Sequence, residues 1–161
     1  MITSKKPEFK HILLKNKLKI AVLGGGSWAT ALIKILTENK RNVGWYIRSE
    51  KNKDFIEKHN HNPSYLTSTR LKTKRLKISI DINTVVEQAD IIIVAIPSAF
   101  IMNEFAKLHI PLNDKIIISA VKGVIPENMK IPGNHFHEDY GVPLDRIGVI
   151  CGPCHAEEVA L

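Results

Sequence analysis

The sequence predicts an α/β domain: a doubly wound, mostly parallel sheet with helices on both faces. Three observations point there. Short apolar runs alternate with helix-compatible stretches from Lys19 onward. The cluster Gly24-Gly25-Gly26 falls where the first such run gives way to the first such stretch. The run Ile91 to Ile96 is β-branched and apolar on both faces, as a central parallel strand must be. A chain of 161 residues and 18.1 kDa is the size of one domain with a core that needs neither disulfide nor metal.

Each element has its own warrant. Lys19 to Leu23 reads as a buried strand ending at Gly24, after which Trp28, Leu32, Ile35 and Leu36 recur at helical spacing. Val43 to Ile47 is a second strand, Glu50 to Asn60 a short helix, and His61-Asn62-Pro63-Ser64 a break. Lys77 to Ile80 is a weak third strand, and the mixed stretch Asp81 to Gln88 carries no assignment. Ile91 to Ile96 is the fourth strand, Ser98 to His109 a helix, and Lys115 to Val121 the fifth strand. Pro126, Pro132, Gly133, Gly141 and Pro143 make the stretch from Pro126 to Leu144 irregular around a short helix. Arg146 to Cys151 is the sixth strand, and Pro153 suits the first position of a helix with Glu157 and Glu158 in its first turn.

Composition excludes several classes. With 44% hydrophobic and 24% charged residues the chain is neither fibrous nor wholly disordered. Ile91 to Ile96 is the longest apolar run, too short to cross a bilayer, and Ile12-Leu13-Leu14 cannot serve as the core of a signal peptide. A cytoplasmic setting with reduced thiols is the expectation. The charge of +7 is concentrated in the lysines of residues 1–19 and in Arg70, Lys72, Lys74, Arg75 and Lys77. Neither stretch interleaves its cations with aromatic or amide side chains, so a solvated tail and a solvated loop are expected, and no nucleic-acid partner.

Gly24-Gly25-Gly26-Ser27-Trp28-Ala29 is a G-x-G-x-x-A fingerprint after a strand and at the mouth of a helix, the context that identifies a Rossmann-type dinucleotide site. Gly24 allows the tight turn, Gly26 has no Cβ to obstruct a pyrophosphate, Ala29 keeps the helix close to the sheet, and the helix-start amides face the phosphates. The tip of the second strand meets the adenosine ribose, where an acid selects NAD. Arg48 stands there instead and can pair with a 2′-phosphate, so the cofactor is NAD or NADP with a lean toward NADP; Glu50 keeps both open. Pro97-Ser98, Lys122-Gly123 and Gly152-Pro153 follow the fourth, fifth and sixth strands and converge on the same sheet edge. Lys122, the cation among them, can hold a substrate or stabilise developing oxyanion charge.

Cys151-Gly152-Pro153-Cys154-His155 matches a thioredoxin-type redox motif, but seven residues follow Cys154, too few for the rest of that fold. Covalent haem attachment would demand an export signal that the sequence lacks. His135 and His137 with the two cysteines make a weak zinc pattern; a loop histidine pair is the simpler account, and no metal is expected.

The motifs together resemble the N-terminal half of the NAD(P)-dependent glycerol-3-phosphate dehydrogenase family. Gly24 to Leu32 is similar to that family's G-x-G-S-W-G-T-A-L opening, and Asn62-Pro63-Ser64-Tyr65-Leu66 to its N-P-x-Y-L segment. Ala89-Asp90 through Pro97-Ser98 resembles its A-D-x-x-x-x-A-x-P-S strand, Val121 to Val124 its K-G turn, and Gly152 to Glu158 its G-P-S-x-A-x-E helix start. The resemblance implies hydride exchange between a nicotinamide and dihydroxyacetone phosphate or sn-glycerol 3-phosphate, feeding phospholipid synthesis, and a homodimer at full length. It also implies roles: Ser27 and Trp28 at the cofactor phosphates, Arg48 at the adenosine end, Tyr65 near the cofactor, and Lys122 between nicotinamide and substrate. Gly152 and Cys154 would touch the substrate, and Ala156 the cofactor.

Two substitutions depart from the pattern: Ala29 stands for the usual third glycine, and Cys154, a weaker donor, for the usual serine. The family's proton-donating lysine and phosphate-gripping residues belong to a helical domain expected beyond Leu161. The sequence therefore divides into a basic extension, residues 1–18, and a dinucleotide-binding domain, residues 19–161, that holds no catalytic residue of its own and is expected to be inactive alone. The alternatives are another two-domain reductase, of a hydroxy acid or ketopantoate, and a dinucleotide-sensing module without catalysis.

Overall fold

The computed structural model describes residues 18–151 and 155–160. Strands β1 (Ile20–Leu23), β2 (Val43–Tyr46), β3 (Leu76–Ser79), β4 (Ile91–Val94), β5 (Ile116–Ser119) and β6 (Ile147–Val149) form one sheet in the order β3-β2-β1-β4-β5-β6. Every neighbouring pair is parallel. The chain winds outward from β1 through β2 to β3, then returns to place β4 on the other side of β1. The strand order thus reverses between β1 and β4, where open α/β sheets hold ligands at their carboxyl edge. The domain is Rossmann-like, as the alternation of elements predicts.

Helices α1 (Ser27–Glu38), α2 (Glu50–His59), α3 (Ile82–Glu87), α4 (Ile101–Phe105), α5 (Pro132–Tyr140) and α6 (Ala156–Val159) complete the described residues. Side chains of a strand alternate between faces, so each central strand serves two cores. Ala21, Leu23, Ile92, Val94 and Ile117 pack with Val86, Phe105 and Phe136 on one face, whereas Val22, Val43, Trp45 and Ile93 pack with Ala29, Ile33 and Ile56 on the other. Burial on both faces explains why the β4 run is continuous rather than alternating.

Local chemistry sets the ends. Ser49 caps α2 by accepting from the Asn52 amide, and Asn60 closes it in the left-handed region at φ 61°. Pro132 opens α5 and Gly141 closes it at φ 66°. Several expectations are corrected. The stretch 81–88 contains α3, whose cap is the Asp81 carboxylate accepting from the Asn83 and Thr84 amides. A bond from the Thr84 hydroxyl, joined by these two, holds the Asp81 carboxyl below its ordinary range. The expected helix from Ser98 to His109 is shorter: a 3-10 turn over Ser98–Phe100 leads into α4. In α1 the fully buried Ile33 replaces the half-buried Ile35 in the core stripe. His135 and His137 lie on α5 rather than a loop, and they face different partners: His135 Nδ1 is 2.6 Å from Asp139 Oδ2, and His137 Nδ1 is 2.8 Å from the Val142 carbonyl. The basic extension up to residue 17 and Pro153 lie outside the described residues.

Candidate functional site

The tip of β1 runs straight into the glycine turn. Gly24 sits at φ +126°, and a Cβ there would stand 2.4 Å from the Ala95 carbonyl oxygen. Glycine alone satisfies both demands. The turn is tied from below by the buried Trp45, whose Nε1 donates to the Gly24 carbonyl at 2.7 Å. Gly26 then serves as N-cap of α1 without a side-chain hydrogen bond, and no acid stands in the first turn. A Cβ on Gly26 would meet nothing within 4 Å. The start of α1 therefore presents amides with no side-chain cap, in front of open space, the arrangement that suits an anion.

That opening belongs to a cleft of about 260 Å³ lined by the glycine turn after β1, the tip of β2, the segment after β4 with Glu104 of α4, and α2 with the loop that follows it. Gly24, Gly26, Arg48 and Tyr65 all line it, so four of the residues singled out from sequence meet in one place. Ser27 and Trp28 follow the glycine turn in the first turn of α1, partly exposed. Ala156 is buried against Ala31 of α1 in a small cluster on which Trp28 also packs. Lys122 follows β5 at the same carboxyl edge and is exposed, but it does not line this cleft. Gly152 and Cys154 lie outside the described residues.

Asn62, Phe100 and Glu104 are among the residues at the cleft to which the sequence pattern assigns no role. Asn62, 1% exposed, fastens the loop after α2 to the glycine turn. Its Nδ2 donates to the Gly25 carbonyl at 3.1 Å and to Thr30 Oγ1 at 2.9 Å, while its Oδ1 accepts from the Ser64 and Tyr65 amides. Asn before Pro marks the turn in the sequence but not these bonds, which depend on the glycine loop lying beside it. Phe100 and Glu104 also line the cleft and carry no such signal. The Arg48 guanidinium lies 4.8 Å from the centre of the Phe100 ring.

Glu104 is 3% exposed, and its carboxylate accepts a hydrogen bond from the Tyr46 hydroxyl. Lys107 Nζ is 3.0 Å from Oε2 and Arg48 Nη1 is 3.7 Å from Oε1. Burial and, secondarily, the bond to Glu104 push the Tyr46 phenol well above its ordinary range. A phenol that keeps its proton in the fold and loses it in the unfolded chain contributes stability that is complete below about pH 10 and declines above it. Tyr46→Phe is expected to flatten the alkaline limb of a stability profile measured by urea denaturation between about pH 9 and 11.

The family model described as NAD-dependent glycerol-3-phosphate dehydrogenase N-terminus matches residues 19–161. The chain belongs to this family. Among curated glycerol-3-phosphate dehydrogenases [NAD(P)+], that of Pseudomonas syringae pv. syringae is 33% identical over 141 residues, covering 88% of this chain and 40% of the relative. That of Macrococcus caseolyticus is 34% identical over 146 residues, covering 89% and 44%. The chain therefore spans less than half the length of these dehydrogenases. The Plasmodium falciparum glycerol-3-phosphate dehydrogenase superposes with a TM-score of 0.80 at 26% identity, covering 94% of this chain and 45% of that one. Among the described residues no helix is long and apolar enough to cross a membrane, and no group of three or more His, Cys, Asp or Glu side chains could hold a metal ion.

Proposed function

We propose that this chain is the coenzyme-binding part of a glycerol-3-phosphate dehydrogenase and holds NAD or NADP across the β1–β4 switch point. The observation that carries the proposal is the uncapped start of α1 behind a turn that only glycine can make, open to a cleft at the sheet's carboxyl edge. The residues fit the group: Gly26 leaves room for the pyrophosphate, the first amides of α1 with Ser27 and Trp28 hold it, and Arg48 and Tyr65 flank the adenosine side. When bound, the nicotinamide supplies or accepts the hydride.

Lys122 orients the substrate carbonyl and stabilises negative charge that develops on its oxygen. Gly152 and Cys154 contact the substrate, and Ala156, packed beside Trp28 at the start of α6, borders the coenzyme. Dihydroxyacetone phosphate and sn-glycerol 3-phosphate are the proposed substrate pair. The proton donor and the phosphate grip come from the further length that the relatives carry, so the 161-residue chain binds coenzyme without sustained turnover. A cytoplasmic setting, a product that feeds phospholipid synthesis and a homodimer of the longer protein complete this reading.

Isothermal calorimetry with NADH and NADPH on the 161-residue chain is the test. Binding of at least one coenzyme is expected, with no steady oxidation of either on addition of dihydroxyacetone phosphate; failure of both to bind would reject the reading. Arg48→Ala is expected to weaken NADPH by about tenfold, about 1.4 kcal/mol, with a smaller loss for NADH in the same titrations.

A further inference from the structure

Arg48 can pair with a 2′-phosphate, but in the fold it already has an anionic neighbour. Glu104 comes from α4, far along the chain from the tip of β2, and its carboxylate lies 3.7 Å from the Arg48 guanidinium. It is fixed there: the side chain is 4% exposed, held by the Tyr46 hydroxyl, and borders the same cleft as Arg48. Phe100 supports the guanidinium from another side, so Arg48 does not depend on Glu104 alone for its position. What Glu104 adds is charge. In a partly desolvated cleft a fixed carboxylate occupies the guanidinium and weakens its pull on a second anion. Lys107, 3.0 Å from the other carboxylate oxygen and half exposed, offsets this in part.

We infer that Glu104 sets coenzyme selectivity by acting on Arg48. In NAD sites of this fold an acid at the tip of the second strand disfavours the 2′-phosphate. Here that acid is delivered from the helix after the fourth strand, beside an arginine that would otherwise favour NADP. Glu104 is thus a positioning and charge-setting residue, and the native chain takes NADH about as well as NADPH. The inference rests on the proposed dinucleotide binding, from which its test can be separated.

Dissociation constants for NADH and NADPH are measured by calorimetry on the native chain, Glu104→Gln, Arg48→Ala and the double variant, with folding followed by circular dichroism. The native constants are expected to agree within about threefold. Glu104→Gln keeps the shape and removes the charge, and is expected to shift the ratio toward NADPH by about tenfold. That shift should vanish in the Arg48→Ala background, and Glu104→Asp should restore the native ratio. A merely structural role would weaken both coenzymes together and leave the ratio in place. A native preference for NADPH beyond about tenfold, an unmoved ratio in Glu104→Gln, or the same shift without Arg48 would each overturn the inference. A native preference for NADPH beyond about tenfold overturns the inference even where a variant fails to fold. If the native chain binds neither coenzyme, the dinucleotide reading fails and this falls with it; if it binds both and the ratio does not move, the selectivity inference fails alone.

Discussion

Gly24→Ala is expected to destabilise the domain by at least about 3 kcal/mol, the sum of a backbone conformation nearly confined to glycine and a forced displacement in a packed interior. The new Cβ would stand 2.4 Å from the Ala95 oxygen, and that oxygen belongs to backbone at the end of the central strand, which has little room to yield. For a chain of this size the loss corresponds to a melting temperature lower by about 6 to 12 °C in a calorimetric scan. Gly26→Ala is the informative contrast. Gly26 has φ −79° and an unobstructed Cβ direction, so stability should stay within about 0.5 kcal/mol of native or rise slightly as the unfolded chain loses freedom. Its cost should fall on coenzyme affinity, by about tenfold or more, because the methyl would enter the space through which the phosphates approach the amides of α1. One glycine is thus required by the fold and the other by the ligand. Equal melting losses for the two variants would refute that division.

Asn62→Ala carries the second large effect. The substitution removes four hydrogen bonds from one buried side chain and leaves the Gly25 carbonyl and the Ser64 and Tyr65 amides to find other partners. A cost of about 2 to 4 kcal/mol is expected, read as a lower urea midpoint at an unchanged slope. Asn62→Asp does not rescue it: the carboxylate would keep the acceptor for the two amides but set an oxygen against the Gly25 carbonyl. Hydrogen exchange at the Ser64 and Tyr65 amides is expected to accelerate in Asn62→Ala, which removes their acceptor. Unchanged protection would mean that the turn after α2 holds itself without the glycine loop.

The parts of this molecule that were legible in its sequence share a physical cause. β4 announces itself because burial on both faces forbids polar residues over four positions, and the glycine turn because backbone geometry forbids most side chains. Arg48 lines the cleft because it follows the tip of a strand that the apolar pattern predicts, whereas Tyr65, which also lines it, is marked only by the family resemblance. The misses are of another kind. α3 is only six residues long, too short for a periodic pattern, and its one clear signal is the capping Asp81. Glu104 acts across 56 positions from Arg48, and a single carboxylate in a helical stretch ordinarily signifies a solvated face; only the fold brings it against Tyr46. Lys122 follows β5, two strands beyond β1, and lies outside the cleft lined by Arg48 and Tyr65, on the side of the switch point opposite β2.

The two tryptophans differ in a way that gives the domain its own optical reporter. Trp45 is sealed in the core with its indole nitrogen bonded beneath the glycine turn, so its emission should be blue-shifted and indifferent to quenchers in solution. Trp28, partly exposed at the beginning of α1, should emit at longer wavelength and respond to iodide. A reduced nicotinamide absorbs where indoles emit, so docking at the turn would draw excitation from both rings while changing the surroundings of only one. Lifetime measurements that resolve the two components would therefore distinguish a coenzyme seated at the helix start from one bound anywhere else on the sheet.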